Sequence, residues 1–248
     1  LLSHNETSVR KITTEEIRTY LAEYQKNNKC SNVTVDNIRR NISSFFSWLE
    51  EEDYILKSPM KRIHKIKTKT VVKSVITDEG IERLRDNCKE IRDLAIIDLL
   101  YSTGIRVGEL VNLNVDDIDL EGRECIVYGK GDKERRVYFD AKAKVHLKKY
   151  IDHRKDNNSA LFVTLDAPHD RLKISGVEIR LRELGRRIDL ERIHPHKFRR
   201  TMATRAIDKG MPIEQVQKIL GHSQIDTTMQ YAMVNQNNVK SSHQKYMS

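Results

Sequence analysis

Cysteine is scarce in this 248-residue chain, and the three present, Cys30, Cys88 and Cys125, stand far apart. None of them has the short paired spacing of a zinc knuckle, and so few thiols cannot build the disulfide framework of a small secreted fold. A reducing compartment is the natural setting. Long apolar runs are missing as well: nothing approaches the roughly twenty residues needed to cross a bilayer, and no signal-peptide pattern opens the chain. A soluble, cytoplasmic protein with no membrane partner is expected. Internal repeats and low-complexity tracts are likewise lacking. The first residue is Leu1 rather than Met, and Leu1-Leu2-Ser3-His4 reads as the tail of something longer, so an N-terminal truncation that removed a first helix is expected.

What the chain has in excess is positive charge. Lysine and arginine number 45 against 36 acidic residues, a formal net charge of +9, the balance expected of a protein whose partner is a polyanion such as a phosphate backbone. Charge alone leaves open a merely basic soluble protein.

The length allows two modest domains or one large one. Thr13 followed by Glu16 reads as a capping box, and Ile17, Tyr20, Leu21 and Tyr24 then share one helical stripe. A second helix carries Val35, Ile38, Ile42, Phe45, Phe46 and Leu49, with Trp48 beside them, and the two helices should pack on each other. A short element around Ser58-Pro59-Met60-Lys61 leads into Lys61 to Lys69, whose alternating bases and low apolar content read as a linker or as a solvated charge run. Beyond it, Thr77 should cap a helix through Leu84, and a strongly apolar helix through Ile91, Leu94, Ile97, Leu100 and Tyr101 should end near Gly104. Segments Ile118 to Leu120, Cys125 to Tyr128 and Arg135 to Phe139, separated by turn signals, predict a small antiparallel sheet. Everything after it reads as helical, with Pro195 and Pro212 at helix starts and Gly210 and Gly221 at helix ends. The fold class is therefore mainly α with a small antiparallel β-sheet.

Several residues suit chemistry at a phosphodiester, which needs charge stabilisation on the non-bridging oxygens, a nucleophile, and an acid for the leaving oxygen. Arg106 follows the Gly104 break and can sit at a helix N-terminus, where a planar guanidinium can hold phosphate with two parallel hydrogen bonds. Arg199 can supply a second clamp. His196 stands three residues before it on a helix begun by Pro195, so the two share a face. His194 and His196 could pair on a metal, but no cysteine, carboxylate or further histidine stands nearby at ligand spacing, so no metal or other cofactor is expected. Lys130, between Gly129 and Gly131 at a hairpin tip, can reach a departing oxygen or be an ordinary charged turn. Tyr231 can be core packing or a nucleophile; a phenol titrates near 10, so attack needs the cations and bases that His196, His222 and the arginines would provide. Glu109 can orient a neighbouring guanidinium or be a surface acid.

The ordered set Thr103-Gly104-Ile105-Arg106-Val107-Gly108-Glu109-Leu110, Gly129-Lys130-Gly131, His196-Lys197-Phe198-Arg199, Leu220-Gly221-His222 and Tyr231 resembles the tyrosine recombinases, the phage-integrase and Xer family. The resemblance covers almost the whole chain. It implies an N-terminal helical, SAM-like core-binding domain over about 1–69 and a catalytic domain over about 70–248, clamping double-stranded DNA. It also implies that Arg106 and Arg199 bind the scissile phosphate, Tyr231 attacks it, Lys130 protonates the leaving 5′ oxygen, His196 assists proton transfer and His222 hydrogen-bonds the phosphate. The family forms a 3′-phosphotyrosine link and needs neither metal nor ATP, and its working unit is a tetramer on two recombination sites. In the family the segment after the tyrosine often docks on a neighbouring protomer, for which Val239 and Tyr246 are candidate anchors. Two other classes share features: a type IB topoisomerase-like enzyme would use the same side chains to rejoin the original strand, and a DNA-binding module without catalysis could use Ile213 to Leu220 and the helix after it as a helix-turn-helix.

Overall fold

The computed structural model describes residues 8–67, 74–129, 134–190, 192–222 and 224–232, and the chain falls into two compact units, Leu1–Val71 and Val72–Ser248. The first is a helical hairpin. After a 3-10 turn at Val9–Lys11, helix α1 (Thr14–Asn28) begins at the capping box that its sequence encodes: Glu16 donates its N–H to Thr13 Oγ1 at 3.3 Å, and Thr13 donates its N–H to Glu16 Oε2 at 2.7 Å. Helix α2 (Asn32–Glu51) is capped by Ser31. Ile17 and Leu21 of α1 bury against Val35, Phe46 and Leu49 of α2 and against Met60 of a 3-10 turn at Pro59–Arg62.

Two expectations for this unit are corrected. Phe45 does not join the inward stripe: it and Phe46 are about 100° apart around a helix axis, so only one can face α1, and Phe45 is 47% exposed beside Trp48. The linker expected from Lys61 to Lys69 is also partly structured. Lys61 and Arg62 belong to the 3-10 turn, Ile63 and Ile66 pack on the first core, and the Ile66 N–H donates to the buried Asp36 carboxylate at 3.0 Å. Two isoleucines among the bases suffice to dock the strand. Lys69 lies outside the described residues.

The second unit is built around one helix. Helix α3 (Asp78–Asp86), capped by Thr77, leads to α4 (Ile91–Thr103), which is buried almost all round through Ala95, Ile96, Ile97, Leu99 and Leu100. Its two buried carboxylates are both paired. Asp93 takes the Arg92 guanidinium at 2.8 Å and also contacts Arg180, while Asp98 takes Arg85 at 2.6 Å and also contacts His146. Removing a partner from such a pair would leave an uncompensated buried charge, so the pairs fix which helices surround α4. Helix α5 (Val107–Asn112) follows, then a three-stranded antiparallel sheet in order β1 (Ile118–Asp119), β2 (Glu124–Tyr128), β3 (Glu134–Tyr138). Cys125 and Val127 of β2 and Val137 of β3 point into the core.

Helix α6 (Ala141–His153) packs on α4, and α7 (Ile174–Arg187), α8 (Pro195–Asp208), α9 (Ile213–Leu220) and α10 (Ile225–Ala232) complete the unit. The stretch after the sheet is not helical throughout. Residues 154–173 are irregular, and the run Ala160–Val163 within them is apolar, buried and too short for a helix. Its backbone is satisfied from the side: Arg154 donates to the carbonyls of Asn158, Ala160 and Leu161, and antiparallel bridges pair Asn114 with Ala160 and Val163 with Arg171. Among the described residues no helix is long and apolar enough to cross a membrane.

Helix α4 ends at Gly104, which adopts the left-handed conformation with φ 63°. A Cβ there would collide with Met202 Cε and press on Leu220 Cδ2. Gly104→Ala should therefore destabilise the protein by about 1–2 kcal/mol from backbone strain alone, read as a lower melting temperature; an unchanged melting temperature would contradict the left-handed cap.

Candidate active site

Arg106 begins α5 at its N-cap, and Glu109, one turn on, is the acid that fixes it. Glu109 Oε2 accepts the Arg106 N–H at 2.8 Å and Oε1 accepts Arg106 Nη1 at 2.9 Å. The same carboxylate takes a second guanidinium from β3, with Arg135 Nη1 and Nη2 donating to Oε1 and Oε2 at 2.7 Å each. Burial alone would raise the Glu109 pKa, but the hydrogen bonds from Arg135 and Arg106 outweigh it and hold the carboxyl below its ordinary range. Glu109 is thus a buried anchor rather than a surface acid.

The last carbonyls of α9 organise the rest. A helix C-terminus leaves carbonyls without intrahelical partners and carries partial negative charge. Here three successive ones each take a different arginine: Ile219 O accepts Arg135 Nε at 3.0 Å, Leu220 O accepts Arg199 Nη2 at 2.5 Å, and Gly221 O accepts Arg106 Nη2 at 3.4 Å. Arg199 Nη1 also donates to Gly104 O at 2.6 Å, so this guanidinium, 3% exposed, ties the end of α4 to the end of α9. Gly221 caps α9 with φ 63°, and a Cβ there would lie 3.1 Å from Arg135 Cδ. The Leu-Gly-His motif is then read locally: Leu220 is buried, Gly221 makes the left-handed turn, and His222 is delivered to the arginines.

His222 stands with Nε2 3.0 Å from Arg199 Nη2, Nδ1 2.8 Å from Thr228 Oγ1, and its ring stacked against Tyr231 with centroids 6.1 Å apart. Burial and then the cations Arg199, Arg106 and Arg135 depress its pKa to about 4. Arg199 is itself lowered to about 10, by burial and then by Arg106, which leaves it protonated at neutral pH. His196, on the first turn of α8, is exposed, and partial desolvation together with Arg199, Arg106 and Arg200 lowers its pKa. The Tyr231 ring also packs on a small cluster formed by Ala203, Val216 and Leu220.

Arg106 and Glu109 form one contacting pair, Arg199, His222 and Tyr231 a contacting chain, and the carbonyls of Leu220 and Gly221 bridge the two, with His196 within electrostatic reach. Lys130 lies outside the described residues; the cleft of about 700 Å³ beside Arg106 and His222 is lined also by Gly129, just after β2, and by Glu134 and Arg135 of β3. Two further residues belong to the site. Arg135 shares the inward face of β3 with Val137, and an arginine on that alternation needs a buried partner. Thr228 precedes Tyr231 by one helical turn, which places it on the same side of α10.

This arrangement has close relatives. The model of the phage integrase family matches residues 74–238, and that of the phage integrase N-terminal SAM-like domain matches residues 1–56. A tyrosine recombinase XerC of Oceanobacillus iheyensis is 30% identical over 257 residues, covering 99% of this chain and 84% of its own length. A tyrosine recombinase XerC of Leptospira interrogans is 33% identical over 239 residues, covering 93% and 77%. Among solved structures, the XerA recombinase superposes with a TM-score of 0.64 at 26% identity, over 100% of this chain and 88% of that one. The Tn1549 transposon integrase in complex with a circular intermediate DNA shares the fold at a TM-score of 0.82 and 19% identity, over 98% and 89%. The chain therefore belongs to the phage integrase family, the tyrosine-type site-specific recombinases.

Proposed function

We propose that this recombinase cuts and rejoins DNA at specific sites through a 3′-phosphotyrosine intermediate, with Tyr231 as nucleophile. The observation that carries the reading is the stacking of Tyr231 on His222, whose ring is bonded to the buried Arg199 and lines the same cleft as Arg106. Arg106, with its side chain 39% exposed, keeps donors free for a phosphate beyond its bonds to Glu109. Arg106 and Arg199 stabilise the charge that builds on the non-bridging oxygens. The Tyr231 oxygen bonds to phosphorus as the bond to the 5′ oxygen breaks. His196, neutral at physiological pH, takes the phenol proton, and Lys130 gives one to the leaving oxygen. Reversal by a 5′ hydroxyl of another duplex rejoins the strand and restores the phenol, so bond energy is conserved without ATP or metal. His222 hydrogen-bonds the phosphate.

Residues 1–69 serve as core-binding domain and 70–248 as catalytic domain, acting on double-stranded DNA in the cytoplasm as a homotetramer on two sites. The DNA complexes of the integrase relatives and the net charge of +9 support the choice of partner.

A pool of nicked duplexes of randomised sequence, from which the short cleaved piece diffuses away, tests the reading. The protein should accumulate a covalent adduct, and Tyr231→Phe should form none. Arg106→Ala should slow adduct formation about 10²–10³-fold, the usual effect of losing one transition-state donor, while DNA affinity stays within a few-fold because one contact is a small part of a polyelectrolyte interface. An adduct with Tyr231→Phe would overturn the assignment.

The low histidine pKa values also make stability depend on pH. His222 binds a proton below about 4 when folded but near 6.5 when unfolded, so between those values the unfolded chain carries the extra proton. Stability should be fully present above about 6.5 and fall as the pH is lowered toward 4. Melting curves across that window should show the loss, and His222→Gln should show less of it; equal slopes would contradict the depressed value.

A further inference from the structure

The partners of His222 decide where its proton lies. Arg199 Nη2 is 3.0 Å from Nε2, and a guanidinium has donors only, so Nε2 accepts. The single proton of the neutral ring is then on Nδ1, which donates to Thr228 Oγ1 at 2.8 Å. Thr228 is fully buried at 0% exposure, on α10 one turn before Tyr231.

That arrangement does not suit a phosphodiester at Nε2. Phosphodiester oxygens accept and do not donate, so a ring that bonds to one must carry its proton on Nε2. The residue facing Nδ1 must then give a hydrogen bond instead of taking one. A carboxylate or a carbonyl in that place would pin the proton to Nδ1, and an ammonium would forbid it there. A hydroxyl can do both, by rotation about its C–O bond.

We propose that Thr228 is a positioning residue for cleavage, whose hydroxyl accepts from His222 Nδ1 in the free protein and, by rotating, donates to it once a phosphodiester replaces Arg199 at Nε2. The ring releases one proton to water from Nδ1 and takes one from water at Nε2, so its charge does not change. Arg199 Nη2, freed from the imidazole, turns to the phosphate. Because Thr228 and Tyr231 share one face of a two-turn helix, the same hydrogen bond holds the nucleophile's helix against the ring that contacts the phosphate. The inference rests on the phosphate-binding role given to His222 above.

The test uses the whole chain with isotope-labelled histidine, whose ring nitrogen shifts report the tautomer, and a duplex selected from the nicked pool. The free protein should show His222 protonated on Nδ1, and the Tyr231→Phe protein bound to uncut duplex should show it protonated on Nε2. Thr228→Val, nearly the same shape without the hydroxyl, should lose the Nδ1 preference and form adduct about tenfold more slowly, the scale of one hydrogen bond, at unchanged DNA affinity. Thr228→Ser should restore both. Should valine disturb the packing, the Ser and Ala variants make the same comparison of hydroxyl with no hydroxyl. A Thr228→Val protein that cleaves at the parental rate, or a bound His222 that keeps its proton on Nδ1, overturns the inference while leaving the recombinase reading intact. A parent protein that forms no adduct overturns the recombinase reading itself.

Discussion

Three guanidiniums converge on the carboxyl end of one short helix, and the site depends on that convergence. Ile219, Leu220 and Gly221 would each leave a carbonyl without an intrahelical partner; instead each accepts from a different arginine, drawn from β3, α8 and α5. The helix end supplies partial negative charge, and Glu109 supplies a carboxylate that directly pairs with two of the three cations. Arg106, Arg135 and Arg199, with Lys218 on the cleft wall, outnumber Glu109 and the wall carboxylates Glu134 and Glu214. That excess is visible in the neighbours: His222 is driven to about 4 and Arg199 to about 10, with nearby arginines among the causes of both after burial. Such an excess of cations suits an anionic ligand, and a phosphodiester is the anion that the proposed reaction brings there.

The remainder of the second unit holds these groups still. Helix α4 is the buried axis, and its paired carboxylates Asp93 and Asp98 select the helices that surround it. Its left-handed end at Gly104 turns the chain so that Arg106 can start α5, and the Gly104 carbonyl meets Arg199 from the opposite side. Positioning groups on helix ends rather than long loops limits how far a clamp can drift, which matters for a reaction controlled by alignment at one phosphorus.

Much of this was legible because the motif residues do local work. Thr13 and Glu16, Thr77, Gly104, Arg106 with Glu109, Pro195 and Gly221 all act within one helical turn of their position, and that range is what spacing in a sequence reports. Pairings across the fold were less visible. Arg135 meets Glu109 across 26 positions, and a strand pattern over Arg135 to Phe139 does not say which carboxylate its inward side faces. Thr228 carries no motif of its own, and its bond to His222 depends on how α10 packs beside α9. Residues 154–173 escaped because a buried irregular segment has no period; what orders it is a set of arginine-to-carbonyl bonds that composition does not announce. Phe45 and the isoleucines after Arg62 went astray for a related reason, since a stripe wider than its partner surface leaves one aromatic outside while two lone apolar side chains can dock a basic strand.

The claim that a phosphodiester seats beside these arginines is tested most directly by titrating the His222 ring in the Tyr231→Phe protein, alone and on bound duplex. Free protein should titrate near 4. With a phosphate seated among the arginines the ring should hold its proton to clearly higher pH, because the added anion offsets the cations that suppress it. A His222 titration that is identical with and without DNA would contradict the account.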